Sequence, residues 1–133
     1  MNFTLLHLTP LYACILAVWL VILSVRVIAL RGNPAFAFFA FGKSSQMLER
    51  AVRGHGNLTE YAPTFLILLL LAEVNGVDGQ WLHIWAGLFV LGRLLHGIGF
   101  GFMLQSLPLR IAGTVLTLTP MLALIVMNAL RLM

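Results

Sequence analysis

The chain has 133 residues, enough for one domain, of which 61% are hydrophobic and 9% charged. Soluble domains carry about 25% charged residues; with a mean hydropathy of +1.01, this chain lacks the polar surface to cover a core in water and buries apolar area too readily to stay disordered. The net charge of +4, from eight Lys+Arg against four Asp+Glu, is scattered among apolar runs, which fits the basic bias of membrane loops and not a nucleic-acid surface.

The segment Met1 to Pro10 has no Lys or Arg and no small-residue cleavage site, so the first apolar run is expected to be a retained transmembrane helix and not a signal peptide. That run, residues 11–30, is long enough to span. Its Cys14, the only cysteine, excludes an intrachain disulfide and is expected to be a buried, inert thiol. Gly32-Asn33-Pro34 stops the helix. Phe36 to Phe41 reads as an interfacial aromatic stretch.

The second span is expected over residues 55–74. Its clean apolar stretch, Ala62 to Val74, is too short to cross and contains Pro63, Thr64 and Glu73. A span of about 20 residues must reach back to His55. Glu60 then lies roughly 8 Å inside the apolar boundary, where a polar side chain is costly unless it faces protein or a wet cavity. Residues 81–104 and 109–132 supply the third and fourth spans, packed antiparallel across the short turn Gln105 to Pro108. The expected fold is an all-α, integral-membrane four-helix bundle forming a single domain over residues 1–133. Arg26, Arg31, Lys43, Arg50, Arg53 and Arg110 collect at one end, and Arg131 with Glu73 and Asp78 at the other. The positive-inside rule puts the first end in the cytoplasm and both termini outside. His7 and His83 read as interfacial.

Gln46, Glu49, Arg50, Arg53, Asn57, Glu60 and Tyr61 recur at spacings of three and four, which gives them one helical face. Glu49 and Arg53 form an i,i+4 pair. Gly54 and Gly56 leave room for close approach. On the third helix Arg93 falls mid-span and needs an intramembrane partner, for which Glu60 is the best acidic candidate. His96 lies one turn later; taken alone it suits a hydrogen-bonded packing role. Gly97 and Gly101 make a GxxxG. Arg110 opens the fourth helix after Pro108, where position alone also suits an interfacial anchor. Asn57-Leu58-Thr59 matches a glycosylation sequon by chance, since it falls inside a helix. The histidines show no metal-ligand spacing, and no metal site is expected.

Arg53, Arg93 and Arg110, with Asn57, Glu60 and Tyr61, are expected to converge on one cleft facing the cytoplasm. Several arginines and one carboxylate suit a ligand with several carboxylates and an amine, because the guanidinium fork donates two hydrogen bonds to a carboxylate. Glutathione is one of many anionic molecules with that inventory, and an arginine near its thiol would favour the nucleophilic thiolate.

The segment Glu49-Arg50-Ala51-Val52-Arg53-Gly54-His55-Gly56-Asn57-Leu58-Thr59-Glu60-Tyr61-Ala62-Pro63 resembles the E-R-x-x-R-x-x-x-N-x-x-E-Y-x-P signature of the MAPEG family, membrane-associated proteins in eicosanoid and glutathione metabolism. Gly92-Arg93-Leu94-Leu95-His96 resembles its third-helix motif, and Pro108-Leu109-Arg110 the start of its fourth helix. The resemblance implies a homotrimer with glutathione as co-substrate, bound between neighbouring subunits. It implies that Arg53, Asn57, Glu60 and Tyr61 contact glutathione, that Arg93 belongs to the same polar site, and that Arg110 stabilises the thiolate; His96, one turn from Arg93, is counted with the glutathione-binding residues. Arg26 and Arg31 both stand near a first-helix arginine that some members use. Phe100 stands where several eicosanoid-making members carry tyrosine, and Ile111 where the prostaglandin E synthase carries serine. Both departures point to the bacterial branch.

The resulting expectation is an inner-membrane glutathione transferase, with possible peroxidase activity, acting on a small apolar electrophile from the surrounding lipid. Two alternatives stand beside it. One is a non-catalytic lipid- or glutathione-binding scaffold. The other is a small proton-coupled exporter using Glu60, disfavoured because three converging arginines would repel cationic drugs.

Overall fold

The structure, a computed structural model, describes residues 6–133; the first half of the Met1 to Pro10 segment lies outside them. Four helices follow in order: α1 Leu8–Leu30, α2 Ser45–Val74, α3 Gly79–Gly101 and α4 Leu107–Arg131, with a short 3-10 segment, Pro34–Phe39, after α1. No strand occurs among the described residues. Each helix is long and apolar enough to cross a bilayer, and the protein is an all-α integral membrane protein. Helix α2 begins well before His55, so the polar stripe and the apolar run share one continuous rod.

Local chemistry sets the ends. Arg31 caps α1, and Gly32 follows at φ +95, a backbone conformation open chiefly to glycine. The Gly32 N–H then bonds to the Ala29 carbonyl at 2.9 Å and the Asn33 N–H to that of Ile28 at 3.4 Å, which satisfies two carbonyls the helix leaves open. Ser44 and Asp78 cap α2 and α3 by accepting from Met47 and Gln80. Helix α1 has no side-chain cap of its own. Instead the Glu73 carboxylate, from the last turn of α2, accepts from the N–H groups of His7, Leu8 and Thr9, each at 2.8 Å. An anion at a helix N-terminus meets unpaired donors and the positive end of the dipole.

The core lies between α1, α2 and α3, where Leu16, Leu23, Phe65, Leu69, Leu82 and Phe89 are buried. The Phe65 and Phe89 rings stack with centroids 3.7 Å apart. Close approach is bought with glycine: a Cβ on Gly92 would stand 2.8 Å from Leu116, one on Gly113 2.7 Å from His96, and one on Gly97 2.7 Å from Trp19. Of the two glycines read as notches on α2, Gly54 is one, 2.9 Å from the Phe100 Cβ, whereas nothing stands within 4 Å of Gly56. Cys14 was expected to be buried and is exposed on the outer face. It shares that face with Val18, Val21 and Leu11, an apolar surface suited to hydrocarbon. Membership of an apolar run did not imply burial in the chain, because the solvent on that side is lipid.

Candidate functional site

Arg93 is 3% exposed and ties three helices together. Its guanidinium donates to Asn57 Oδ1 on α2 and, at 3.4 Å, to the Gly113 carbonyl on α4. Its Cζ stands 5.5 Å from the Tyr61 ring centroid. The expected partner Glu60 is not used. A neutral amide, a carbonyl and an aromatic face meet the buried cation instead, and its Nε has no hydrogen-bond partner among the described residues. Glu60 stays exposed and lines an open recess.

That recess holds about 440 Å³ and is lined by Val52, Arg53, Gly56, Asn57, Glu60, His96 and Phe100. Four predicted site residues, Arg53, Asn57, Glu60 and His96, therefore meet. Arg53 is exposed and pairs with Glu49 at 2.8 Å, as the i,i+4 spacing required. Arg110 does not join them within this chain. It lies on a second recess of about 300 Å³, with His96, Phe100, Leu107, Ile111, Thr114 and Val115. The expected single cleft is thus two recesses sharing one wall, the stacked rings of His96 and Phe100, whose centroids are 4.6 Å apart. Tyr61 lines neither recess and packs on Arg93.

Three further residues shape the site. Arg50 donates to the Gly99 carbonyl at 2.7 Å and the Met103 carbonyl at 2.9 Å. Arg26, fully buried, donates to the carbonyls of Gly101 at 2.9 Å, Phe39 at 2.5 Å and Phe41 at 2.8 Å. Two cations thus close the C-terminal end of α3, where orphan carbonyls and the negative end of the dipole lie. Arg26 also stands 4.2 Å from the Phe41 ring centroid and 5.2 Å from that of Phe102. The third is Phe100, with Arg50 and Arg110 at 5.0 Å and 4.9 Å from its ring centroid. Sequence reasoning placed Arg26 among the basic residues of one end and, beside Arg31, near a first-helix arginine that some family members use, without identifying it as a buried fastening. Its spacing from Leu23 and Leu30, three before and four after, marks it as lying on their buried face.

On the other side of the α1–α2 pair, Ser24 and His55 hydrogen-bond at 2.9 Å beside Arg31, in a recess of about 210 Å³. No group of His, Cys, Asp and Glu among the described residues could hold a metal ion.

Four apolar helices around an arginine-rich polar site define an integral membrane protein with polar recesses at one end of its bundle. Comparison with known proteins gives the family: the MAPEG family matches residues 9–130, and the chain belongs to it. It is also similar to "Inner membrane protein YecN" of Escherichia coli strain K12, 37% identical over 92 residues that cover 69% of each chain. The same likeness holds for the protein of that name in strain O6:H1. No solved structure matches.

Proposed function

We propose that the protein is an inner-membrane glutathione transferase, a homotrimer that joins the glutathione thiolate to a small apolar electrophile arriving from the lipid. The observation that carries this reading is the recess of Arg53, Asn57, Glu60 and His96, whose Asn57 is held by the buried Arg93 guanidinium. Polar groups that could hold an anion with an amine stand there in helices otherwise built for hydrocarbon. Arg53 would bind a glutathione carboxylate by its fork and Glu60 the amine. Asn57, fixed by Arg93, would shape the pocket, and Tyr61 would support the Arg93 guanidinium from behind it. Arg110 would hold the sulfur as thiolate, and the same thiolate could reduce a lipid hydroperoxide.

Assembly accounts for the division into two recesses. In a trimer with ligand between subunits, Arg110 and the Arg53 recess need not belong to one chain's cavity. Arg31 would contribute from the neighbour: it is exposed and makes no side-chain hydrogen bond among the described residues, whereas the donors of Arg26 are spent on three carbonyls. The site would face the cytoplasm and the termini the opposite side, in keeping with the basic residues at the α1–α2 and α3–α4 connections.

The test is conjugation of glutathione to a chlorodinitrobenzene-type electrophile by purified protein in detergent. Wild-type turnover at least about tenfold above R110A is expected; equal rates defeat the mechanism. The His96–Phe100 wall between Arg110 and the Arg53 recess favours a second reading, a scaffold that binds glutathione or lipid without turnover. Calorimetric glutathione binding with no conjugation in the same preparation would select it.

A further inference from the structure

We propose that Phe100 is a positioning residue, its ring stationing the Arg110 guanidinium beside the glutathione sulfur; this rests on the glutathione reading above. Arg110 has no side-chain hydrogen bond or ion pair among the described residues. What the structure gives its guanidinium is the Phe100 ring, 4.9 Å from Cζ to centroid. A guanidinium is drawn to the negative face of such a ring. An arginine on a flexible stem, exposed at the start of α4, otherwise samples many rotamers.

The ring itself is well held. Phe100 lies in the last turn of α3, and the carbonyls on either side of it, Gly99 and Gly101, are gripped by Arg50 and Arg26. Gly54 lets α2 come so close that a Cβ there would stand 2.9 Å from the Phe100 Cβ. His96 stacks on the ring at 4.6 Å. The platform is therefore fixed by three helices before any ligand arrives, and Arg110 inherits its place from it. Arg50 stands at 5.0 Å from the same centroid, but it lines neither recess, and its Nε and Nη2 are engaged by two carbonyls. Arg110 is the cation of the pair that lines a recess with its whole guanidinium free of hydrogen bonds among the described residues, and the nearby like charge makes an anion more welcome there.

Two measurements on the full chain in detergent micelles test this. The first follows the Arg110 Nε–H resonance by nitrogen-15 NMR, assigned with R110A. Wild type is expected to show a ring-current displacement that F100L abolishes and F100Y retains. The second follows thiolate absorbance of bound glutathione against pH. R110A is expected to raise the thiol midpoint by about 1 unit or more, F100L by at least half of that shift, and F100Y not at all. F100M supplies the same ring removal should F100L fail to fold. An Arg110 resonance unmoved in F100L overturns the proposal. So does a thiol midpoint that shifts in R110A and not in F100L, which leaves the glutathione reading standing. Wild type and R110A titrating alike, at the free thiol's value, overturns both.

Discussion

Arg26 and Arg110 both lie against phenylalanine rings at the same end of the bundle, and they have opposite fates. Arg26 is fully buried and spends its guanidinium on three carbonyls and the rings around them. Arg110 is exposed, meets one ring and has no acceptor among the described residues. The first is a fastening that joins α1, the 3-10 segment and the end of α3. The second is a cation held in place with its donors unspent. A charge whose hydrogen bonds are complete holds a fold together; one whose bonds are open is available to a ligand.

The contrast breaks most readily at Arg26. R26M leaves three carbonyls without their donor, the buried one of Gly101 and the part-buried ones of Phe39 and Phe41, and an unmet buried acceptor costs about 1–3 kcal/mol. A loss of about 3 kcal/mol or more in stability is expected, read as a lowered thermal midpoint in detergent. R110A is expected to change stability by less than about 0.5 kcal/mol, as surface substitutions do. Equal destabilisation by the two would erase the distinction. Next comes the α3–α4 seam, where G113A forces a Cβ to 2.7 Å from His96. Overpacking costs about 1–3 kcal/mol, and thermal denaturation should show it, together with weakened glutathione binding because His96 lines both recesses.

E73A removes the carboxylate that serves three N–H groups at the start of α1. Losing a helix cap costs about 0.5–2 kcal/mol, and amide hydrogen exchange should rise at residues 7–9 while the arginine end stays protected. The smallest effect belongs to E49Q. Its partner Arg53 shares an exposed ion pair, with side chains 68% and 65% accessible, and such pairs contribute about 0.2–1 kcal/mol. Stability should barely move, whereas affinity for glutathione should rise modestly as Arg53 is released, by isothermal calorimetry.

Much of the molecule can be read from residues alone because helix periodicity is local. The apolar runs, the stop at Gly32, the polar stripe of α2 and the Glu49–Arg53 pair depend on neighbours within a few positions. The partner of Arg93 does not. Glu60 was the natural acidic choice, yet Asn57 and Tyr61 take the place, since the relative height and rotation of α2 and α3 decide which side chain meets the guanidinium. The single cleft was likewise an inference from helix faces. It became two recesses because His96 and Phe100 project between them.

By itself the sequence determined that this protein lives in a bilayer, that it is helical, and which residue types carry its polar chemistry. Those follow from run length, hydropathy and spacing, which no tertiary contact can alter. The tertiary structure alone decided which arginines are fastenings and which stay open. That choice turns on carbonyls and rings contributed by distant segments, such as Phe41 and Gly101 around Arg26. Hydrogen bonds and aromatic contacts act only over a few ångströms, so their partners are settled by how whole helices pack.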